Sequence, residues 1–210
     1  MKAVIFDLDG VLCSTDHYHY LAWKSIADDV GAYFDEQINN RLRGVSRMAS
    51  LDIVLERCGR EVPQEEKLVL AETKNGRYRE LLKNVTPKDL MPGAIETLDA
   101  LRAAGIRTAI GSSSKNAPFI LSQLGITDRF DAISDGNNIT RSKPDPEVFL
   151  KAADMLGLPS RDCLVVEDAL AGAEAAHRAG MKAACVGDAS RAGAGDYNMR
   201  SVKDLLEILP

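Results

Sequence analysis

The chain has 210 residues, and 26 Lys and Arg stand against 31 Asp and Glu, which gives a net charge of −5 at pH 7. An acidic balance argues against a nucleic-acid partner, and no apolar run approaches the length that spans a membrane. The four cysteines have no metal-like spacing, and Met1 leads straight into the first predicted strand, so we expect a reduced cytosolic protein without a signal peptide.

The first predicted element is a buried strand followed by two acids. Residues 4–6 are Val, Ile and Phe, a run typical of a strand buried on both faces of a parallel sheet. Asp7 and Asp9 follow at the end where ligands bind in open α/β sheets. Gly10 allows a sharp turn. Two acids this close favour a hard cation such as Mg²⁺, although Asp-x-Asp-Gly is also common in ordinary turns.

Four predicted helices come next, before any second strand. They cover about 19–30, 36–43, 46–58 and 63–82. The next clear strand begins only at residue 106, whereas a βαβ crossover usually takes about 30 residues. We therefore predict a helical domain inserted at 16–87, with residues 1–15 and 88–210 forming the core.

Strands and helices alternate over the rest of the chain. The predicted strands are 106–111, 130–134, 163–166 and 181–186, and the predicted helices are 94–104, 117–124, 146–156, 169–179 and 202–209. This pattern predicts an α/β fold, a Rossmann-like doubly wound parallel sheet interrupted by a helical cap. Residues 188–199 are rich in Gly and Ala, are predicted to form a loop, and receive no functional interpretation.

Polar residues follow the predicted core strands. They are Asp7 and Asp9, the hydroxyl-rich stretch 112–116, Lys143 in a proline-containing loop, and the pair Glu167-Asp168. Singly, each has a plainer interpretation: Ser112 and Asn116 as helix caps, Lys143 as a surface lysine, the acid pair as part of a helix N-terminus. Their joint occurrence at the carboxyl ends of strands favours one site, in which 112–116 binds phosphate.

These motifs resemble those of the haloalkanoate dehalogenase (HAD) superfamily over the whole chain. The matching residues are Asp7-Leu8-Asp9-Gly10, Ser112, Lys143 and Glu167-Asp168. The resemblance implies that Asp7 is a nucleophile that becomes an aspartyl phosphate, and that Asp9 is the general acid/base. Ser112 and Lys143 would hold the phosphoryl oxygens. A dehalogenase needs no such acid/base partner, so phosphoryl transfer is expected instead.

The resemblance also implies one Mg²⁺ per active site. Its implied ligands are Asp7, the backbone carbonyl of Asp9, and Asp168, with Glu167 in support. The cation and Lys143 would offset the repulsion between an ionised nucleophile and an anionic phosphate.

Within the superfamily, the inserted domain resembles the helical (C1-type) cap of the β-phosphoglucomutases. The stretches that carry the likeness are Tyr18-His19 before Trp23, Gly44-Val45-Ser46-Arg47, Lys74-Asn75 and, in the core, Ser114-Lys115-Asn116. Taken singly, a surface Arg, a packed His and a core Trp are the plainer interpretations. Taken together, they imply that the cap residues Trp23, Gly44, Val45, Ser46, Arg47 and Lys74 contact substrate.

The implied reaction interconverts β-D-glucose 1-phosphate and glucose 6-phosphate through β-glucose 1,6-bisphosphate. A mutase needs a second phosphate site, for which Arg47, Ser114, Lys115 and Asn116 are the candidates. Thr15 and His19 are implied to couple cap closure to the proton on Asp9.

Two other functions stay open at this point. The first is a Mg²⁺-dependent sugar-phosphate phosphatase with the same nucleophile, and the second is a phosphosugar-binding protein without catalysis. The sequence does not decide which sugar is preferred. It is silent on oligomeric state, for which a monomer is the expectation.

Overall fold

A computed structural model describes residues 1–42 and 45–208 of the chain. The chain forms two compact units, one from Met1–Ser14 with Thr86–Pro210 and the other from Thr15–Val85. We call them the sheet unit and the helical unit. Among the described residues, none of the helices combines the length and apolar character that crossing a membrane requires.

The sheet unit is built on six parallel strands in the order β3-β2-β1-β4-β5-β6. The strands are β1 (Ala3–Phe6), β2 (Arg107–Gly111), β3 (Ala132–Ser134), β4 (Cys163–Glu167), β5 (Lys182–Cys185) and β6 (Tyr197–Asn198). The predicted α/β class with a parallel sheet is confirmed. In this strand order the connections reverse direction between β1 and β4, which is where open α/β sheets bind ligands.

Helices α1 to α4 form the helical unit, and α5 to α9 belong to the sheet unit. Their bounds are α1 Asp16–Asp29, α2 Glu36–Asn40, α3 Arg47–Leu55, α4 Gln64–Leu82, α5 Ala94–Ala103, α6 Ala117–Leu124, α7 Glu147–Met155, α8 Leu170–Arg178 and α9 Gly187–Arg191. Short 3₁₀ segments lie at Pro87–Asp89, Thr127–Arg129, Ser160–Asp162 and Val202–Glu207.

Apolar residues of the central strands bury one face of the sheet under α7 and α8. Ile5, Ala109 and Val165 come from adjacent strands and are fully buried in one cluster with Phe149 of α7 and Ala176 of α8. Burying a side chain as large as Ile5, Val165 or Phe149 contributes about 1.5–3 kcal/mol. This packing explains why residues 4–6 form an uninterrupted apolar run.

The helical unit has its own apolar core. On α1, Trp23, Ile26 and Ala27 are buried at the i, i+3, i+4 spacing of one helix face, and they pack with Leu51 and Val54 of α3. The caps are local: the side chain of Ser46 accepts a hydrogen bond from Ala49 N at 3.4 Å, and that of Asp35 accepts from Ile38 N at 2.8 Å.

Several predicted bounds were wrong. Helix α1 begins at Asp16 rather than near residue 19, and the predicted α-helix over 202–209 is a 3₁₀ segment over Val202–Glu207. The stretch 188–199, read as a loop, contains most of α9 and the two-residue strand β6. Elements this short carry too few residues to show a periodicity.

Candidate active site

Strand register brings residues from β1 and β4 together at the carboxyl edge of the sheet. Phe6 pairs with Val166, and Asp7 N donates to Val166 O at 2.9 Å. The next residues along these strands, Asp7 and Glu167, therefore emerge side by side. Both side chains are buried, with exposed residue fractions of 8% and 1%.

The ammonium of Lys143 lies between these two carboxylates. Its Nζ is 2.6 Å from Asp7 Oδ1 and also forms a short ion pair with Glu167 Oε1. The same Nζ stands 4.8 Å from the centre of the Phe149 ring. Lys143 is thus a buried cation with two anionic partners, as a buried charge requires, and not the surface residue of the plainer interpretation.

Glu167 stabilises this arrangement and is itself fixed by its neighbours. Its Oε2 accepts hydrogen bonds from the backbone N–H groups of Asp168 and Ala169 at 2.8 and 2.9 Å. Gly172 on α8 makes room for it, because a Cβ there would lie 1.9 Å from the carboxylate. The carboxylate of Glu167 is therefore fixed by its neighbours, and its oxygens are largely occupied.

Asp7, Glu167 and Asp168 form an acidic cluster whose ligand atoms lie within 4.8 Å of one another. With Lys143, the three carboxylates leave a formal charge of −2 when all are ionised. Burial raises the pKa of Asp7 to about 7, against the lowering effect of Lys143. Burial and the neighbouring Glu167 raise the pKa of Asp168 to about 8. The residues fit a divalent cation with oxygen ligands, which would relieve this repulsion.

Burial alone would lower the pKa of Lys143, but Asp7 and Glu167 raise it above its usual range. The lysine therefore carries its positive charge at every physiological pH. A permanent buried cation next to a carboxylate is suited to binding an anionic group there.

Asp9 lies in the turn beyond β1, half-buried. The acidic cluster joins Asp7 to the acids after β4 and does not include the Asp9 side chain. Nevertheless, the charge of Asp9 contributes to raising the pKa of Asp7. Gly10 makes the turn possible: its φ is +81°, and a Cβ on it would lie 2.1 Å from Asp168 Oδ2.

The stretch 112–116 forms a compact loop between β2 and α6. The Oγ of Ser112 accepts from Ser114 N, and the Oγ of Ser114 accepts from Asn116 N, both at 3.2 Å. Ser112 is buried, Ser114 and Asn116 are half-buried, and Lys115 is exposed. Asn116 occupies the N-cap position of α6 as predicted, but its side chain makes no capping hydrogen bond.

The helical unit contains a second polar cluster, around Lys74. This lysine is only 3% exposed. Its Nζ lies 2.8 Å from His19 Nδ1, and it sits 4.7 and 4.5 Å from the ring centres of Trp23 and Tyr78. The Tyr78 ring stacks on His19 at 4.0 Å, and its hydroxyl is 2.8 Å from Thr15 Oγ1. The sequence analysis did not identify Tyr78, although its position four residues after Lys74 places the two side chains next to each other on one helix face.

Desolvation and the positive charges of Lys74 and Arg47 lower the pKa of His19 well below its usual value of 6.5. Arg47 itself donates from Nη2 to Asn75 Oδ1 at 2.9 Å and lies 3.7 Å from Glu72. His19 is therefore a neutral imidazole at physiological pH.

The predicted segment 44–47 is only partly visible. Val45 and Ser46 are exposed, and Ser46 caps α3. Gly44 lies outside the described residues, so its predicted contact with substrate stays a prediction.

The chain is similar to known proteins over most or all of its length. The family model of haloacid dehalogenase-like hydrolases matches residues 1–180. A β-phosphoglucomutase of Bacillus subtilis is 45% identical over 212 residues, covering 100% of this chain and 94% of that protein. The crystal structure of a β-phosphoglucomutase from Clostridium difficile aligns with a TM-score of 0.90 at 38% identity, covering 98% of this chain and 93% of that one. A phosphorylated carbohydrates phosphatase of Thermotoga maritima is 30% identical, covering 87% and 83%.

The space that Gly172 leaves for Glu167 predicts opposite effects of alanine at two helical glycines. Gly172→Ala places a Cβ against the Glu167 carboxylate, so we expect a loss of about 1–3 kcal/mol in the free energy of unfolding. Gly76→Ala in α4 meets nothing within 4 Å and should gain about 0.5–1 kcal/mol through helix propensity. Urea denaturation measures both, and a stabilised Gly172→Ala variant would contradict the described packing.

The depressed pKa of His19 predicts a pH-dependent stability. Below about pH 6.5 the unfolded chain binds a proton on this residue that the folded chain does not. The contribution of His19 to the free energy of unfolding is therefore fully present above that pH and is lost as the pH is lowered. Between pH 7.5 and pH 5.0, the free energy of unfolding should fall less for His19→Gln than for the wild type. The matched control is His17→Gln, at an exposed histidine, and equal losses in all three proteins would refute the assignment.

Proposed function

The chain belongs to the haloacid dehalogenase-like hydrolase family, and we propose that it is a sugar-phosphate mutase that interconverts β-D-glucose 1-phosphate and glucose 6-phosphate. The single observation that carries the proposal is a buried aspartate, Asp7, held by a lysine beside two further acids. The relatives named β-phosphoglucomutase, similar over the whole chain, support the choice of reaction.

In this proposal Asp7 is the nucleophile. Lys143 holds one of its carboxylate oxygens, and the other attacks phosphorus. A bond forms between that oxygen and phosphorus while the bond from phosphorus to the sugar oxygen breaks. Asp9 donates a proton to the departing sugar oxygen. In the second half-reaction Asp9 takes a proton from the attacking hydroxyl, whose oxygen bonds to phosphorus as the bond from phosphorus to Asp7 breaks and frees the carboxylate.

Lys143 and Ser112 are proposed to bind the oxygens of the transferring phosphoryl group. Their positive charge and hydroxyl would stabilise negative charge that these oxygens carry in the transition state. The burial of both residues strengthens such interactions because little water competes with them.

We also propose one Mg²⁺, held by Asp7, Asp168 and the backbone carbonyl of Asp9, with Glu167 fixing Lys143 and the turn after β4. When bound, the cation supplies neutralisation of charge between the carboxylates and the phosphate. Family membership and the acidic cluster are the grounds for it.

A mutase must also hold the phosphate that is not reacting. Arg47 is the proposed ligand in the helical unit, and Ser114, Lys115 and Asn116 are the proposed ligands in the sheet unit. The sugar would then travel as β-glucose 1,6-bisphosphate, which can present either phosphate to Asp7. An arginine suits this role because its fork of donors matches phosphate oxygens.

The helical unit is proposed to act as a cap that recognises the sugar. Trp23, Lys74 and the segment 44–46 are its proposed substrate contacts. Thr15 and His19 belong to the same cluster as Lys74 and are proposed to link the cap conformation to the proton on Asp9. This link would favour attack by sugar over attack by water.

A phosphatase is the second candidate, favoured by relatives such as the carbohydrate phosphatase of Thermotoga maritima. It would use the same nucleophile with water as the acceptor. The two functions differ in the fate of the phosphate, and that difference is measurable.

We expect the protein with Mg²⁺, β-glucose 1-phosphate and a trace of the 1,6-bisphosphate to form glucose 6-phosphate without matching release of inorganic phosphate. Both products are followed in one reaction. Asp7→Asn should abolish turnover, because an amide is a poor nucleophile. Stoichiometric phosphate release would identify a phosphatase, and activity of Asp7→Asn would refute the proposed nucleophile.

A second arm of this experiment tests the distal phosphate ligand. Arg47→Ala should lower mutase kcat/KM by at least about 100-fold, since a charged hydrogen bond contributes about 3 kcal/mol. Hydrolysis of p-nitrophenyl phosphate, which has no second phosphate, should change by less than about threefold. Equal losses on both substrates would argue against this role of Arg47.

A further inference from the structure

We propose that Glu147 is a positioning residue that fastens the two phosphate-binding loops of the sheet unit, those of Lys143 and Ser112. This inference rests on the proposed roles of those two residues. Glu147 is the first residue of α7 and touches neither Asp7 nor the acidic cluster in the described structure. Its effect must therefore pass through the chain segments that it holds.

One carboxylate oxygen of Glu147 holds the loop that leads to Lys143. Its Oε2 accepts hydrogen bonds from Thr140 N at 3.0 Å, Thr140 Oγ1 at 2.9 Å and Arg141 N at 2.9 Å. An acid in the first turn of a helix often bonds to its own N-terminus, but these bonds reach six and seven residues back along the chain. The loop is thus fixed two residues before Lys143.

The other carboxylate oxygen of Glu147 is connected to the loop of Ser112 through contacts of intervening residues. Glu147 Oε1 is 3.0 Å from Lys151 Nζ, and the same Nζ donates a short hydrogen bond to Asn138 O. The side chain of Asn138 in turn is 3.2 Å from Ser134 Oγ. Ser134 O accepts from Ser112 N at 3.1 Å. These polar contacts, connected through the covalent structure of Asn138 and Ser134, join Glu147 to the second phosphate-binding loop.

The segment between these contacts also supports the loop 112–116 directly. Gly136 N donates to Ser114 O at 3.2 Å, and Asn137 Nδ2 donates to Lys115 O at 3.0 Å. A Cβ on Gly136 would lie 2.5 Å from Ser113 O, so the two segments are in close contact. Residues 134–141 thus touch one phosphate-binding loop and lead into the other.

Glu147 is more enclosed than the surface acids with similar partners. Its side chain is 13% exposed, whereas that of Glu174, which also pairs with a cation four residues on, is 50% exposed. The hydrogen bond from Lys151, with those from the backbone of Arg141 and from Thr140, lowers the pKa of Glu147 to about 2. It is an ionised anchor with four donors, which is more than an ordinary i,i+4 surface pair provides.

The expected functional consequence is loss of preorganisation. Catalytic groups displaced by about 1 Å can lose about 100-fold in rate, and Lys143 and Ser112 must meet the same phosphoryl group. Without Glu147, the loop before Lys143 loses its three hydrogen bonds to the first residue of α7, and Lys151, which bonds to Asn138, loses its anionic partner. Turnover should therefore fall while the affinity for the distal parts of the substrate is kept.

The test compares Glu147→Ala, Glu147→Gln and the control Glu80→Ala, which removes an exposed acid paired with Lys83. We expect Glu147→Ala to lower kcat at least about 10-fold on both β-glucose 1-phosphate and p-nitrophenyl phosphate, with KM changed less than about threefold. Glu147→Gln keeps an oxygen that can accept from Thr140 and Arg141, so it should recover most of the lost kcat. Glu80→Ala should match the wild type.

Rates are measured at a temperature where circular dichroism shows each variant to be folded. A kcat of Glu147→Ala within twofold of the wild type would overturn the proposal, as would a Gln variant no better than Ala. If Glu147→Ala does not fold, Thr140→Val removes one of the same hydrogen bonds and should lower kcat about two- to fivefold; an unchanged kcat would overturn it. An inactive wild type would instead refute the proposed function.

Discussion

The ammonium of Lys143, held between the carboxylates of Asp7 and Glu167, is the interaction on which the sheet unit's site depends. Bringing three carboxylates together, two of them buried, is unfavourable unless their charge is offset. The lysine offsets part of it, the backbone N–H groups after β4 hold Glu167, and the remaining negative charge creates the demand for a cation. The β1–β4 register and the missing Cβ of Gly172 both serve this arrangement.

The helical unit buries a positive charge, whereas the sheet unit buries negative ones. Its buried lysine, Lys74, has aromatic rings and a histidine as neighbours, so its charge is stabilised by ring faces and by a neutral imidazole nitrogen. That environment keeps His19 unprotonated. Each unit therefore maintains its own charge pattern through its own packing. In the proposed function, the first pattern serves a cation and a phosphoryl group, and the second serves the polar groups of a substrate.

The sequence predicted the features that depend on local residue patterns. It predicted fewer of the side-chain contacts that form only in the folded chain. The alternation of predicted strands and helices was sufficient for the α/β class, and the predicted helix 117–124 has the bounds of α6. The roles proposed for the motif residues stay predictions. Tyr78 was missed because its partner Thr15 lies 63 residues away along the chain. Glu147 was missed because its bonds to Thr140 and Arg141 depend on a loop conformation that has no repeating sequence pattern.

The most direct test of this account is the Mg²⁺ dependence of thermal unfolding at pH 7.5. We predict a saturable stabilisation of the wild type, about 2.7 kcal/mol at 100 times the dissociation constant, that is largely lost in Asp168→Asn. The variant Asp154→Asn, at an exposed acid on α7, should respond like the wild type. A wild type that Mg²⁺ does not stabilise against unfolding, or an Asp168→Asn variant that is stabilised equally, would contradict the claim that the acidic cluster forms a cation site.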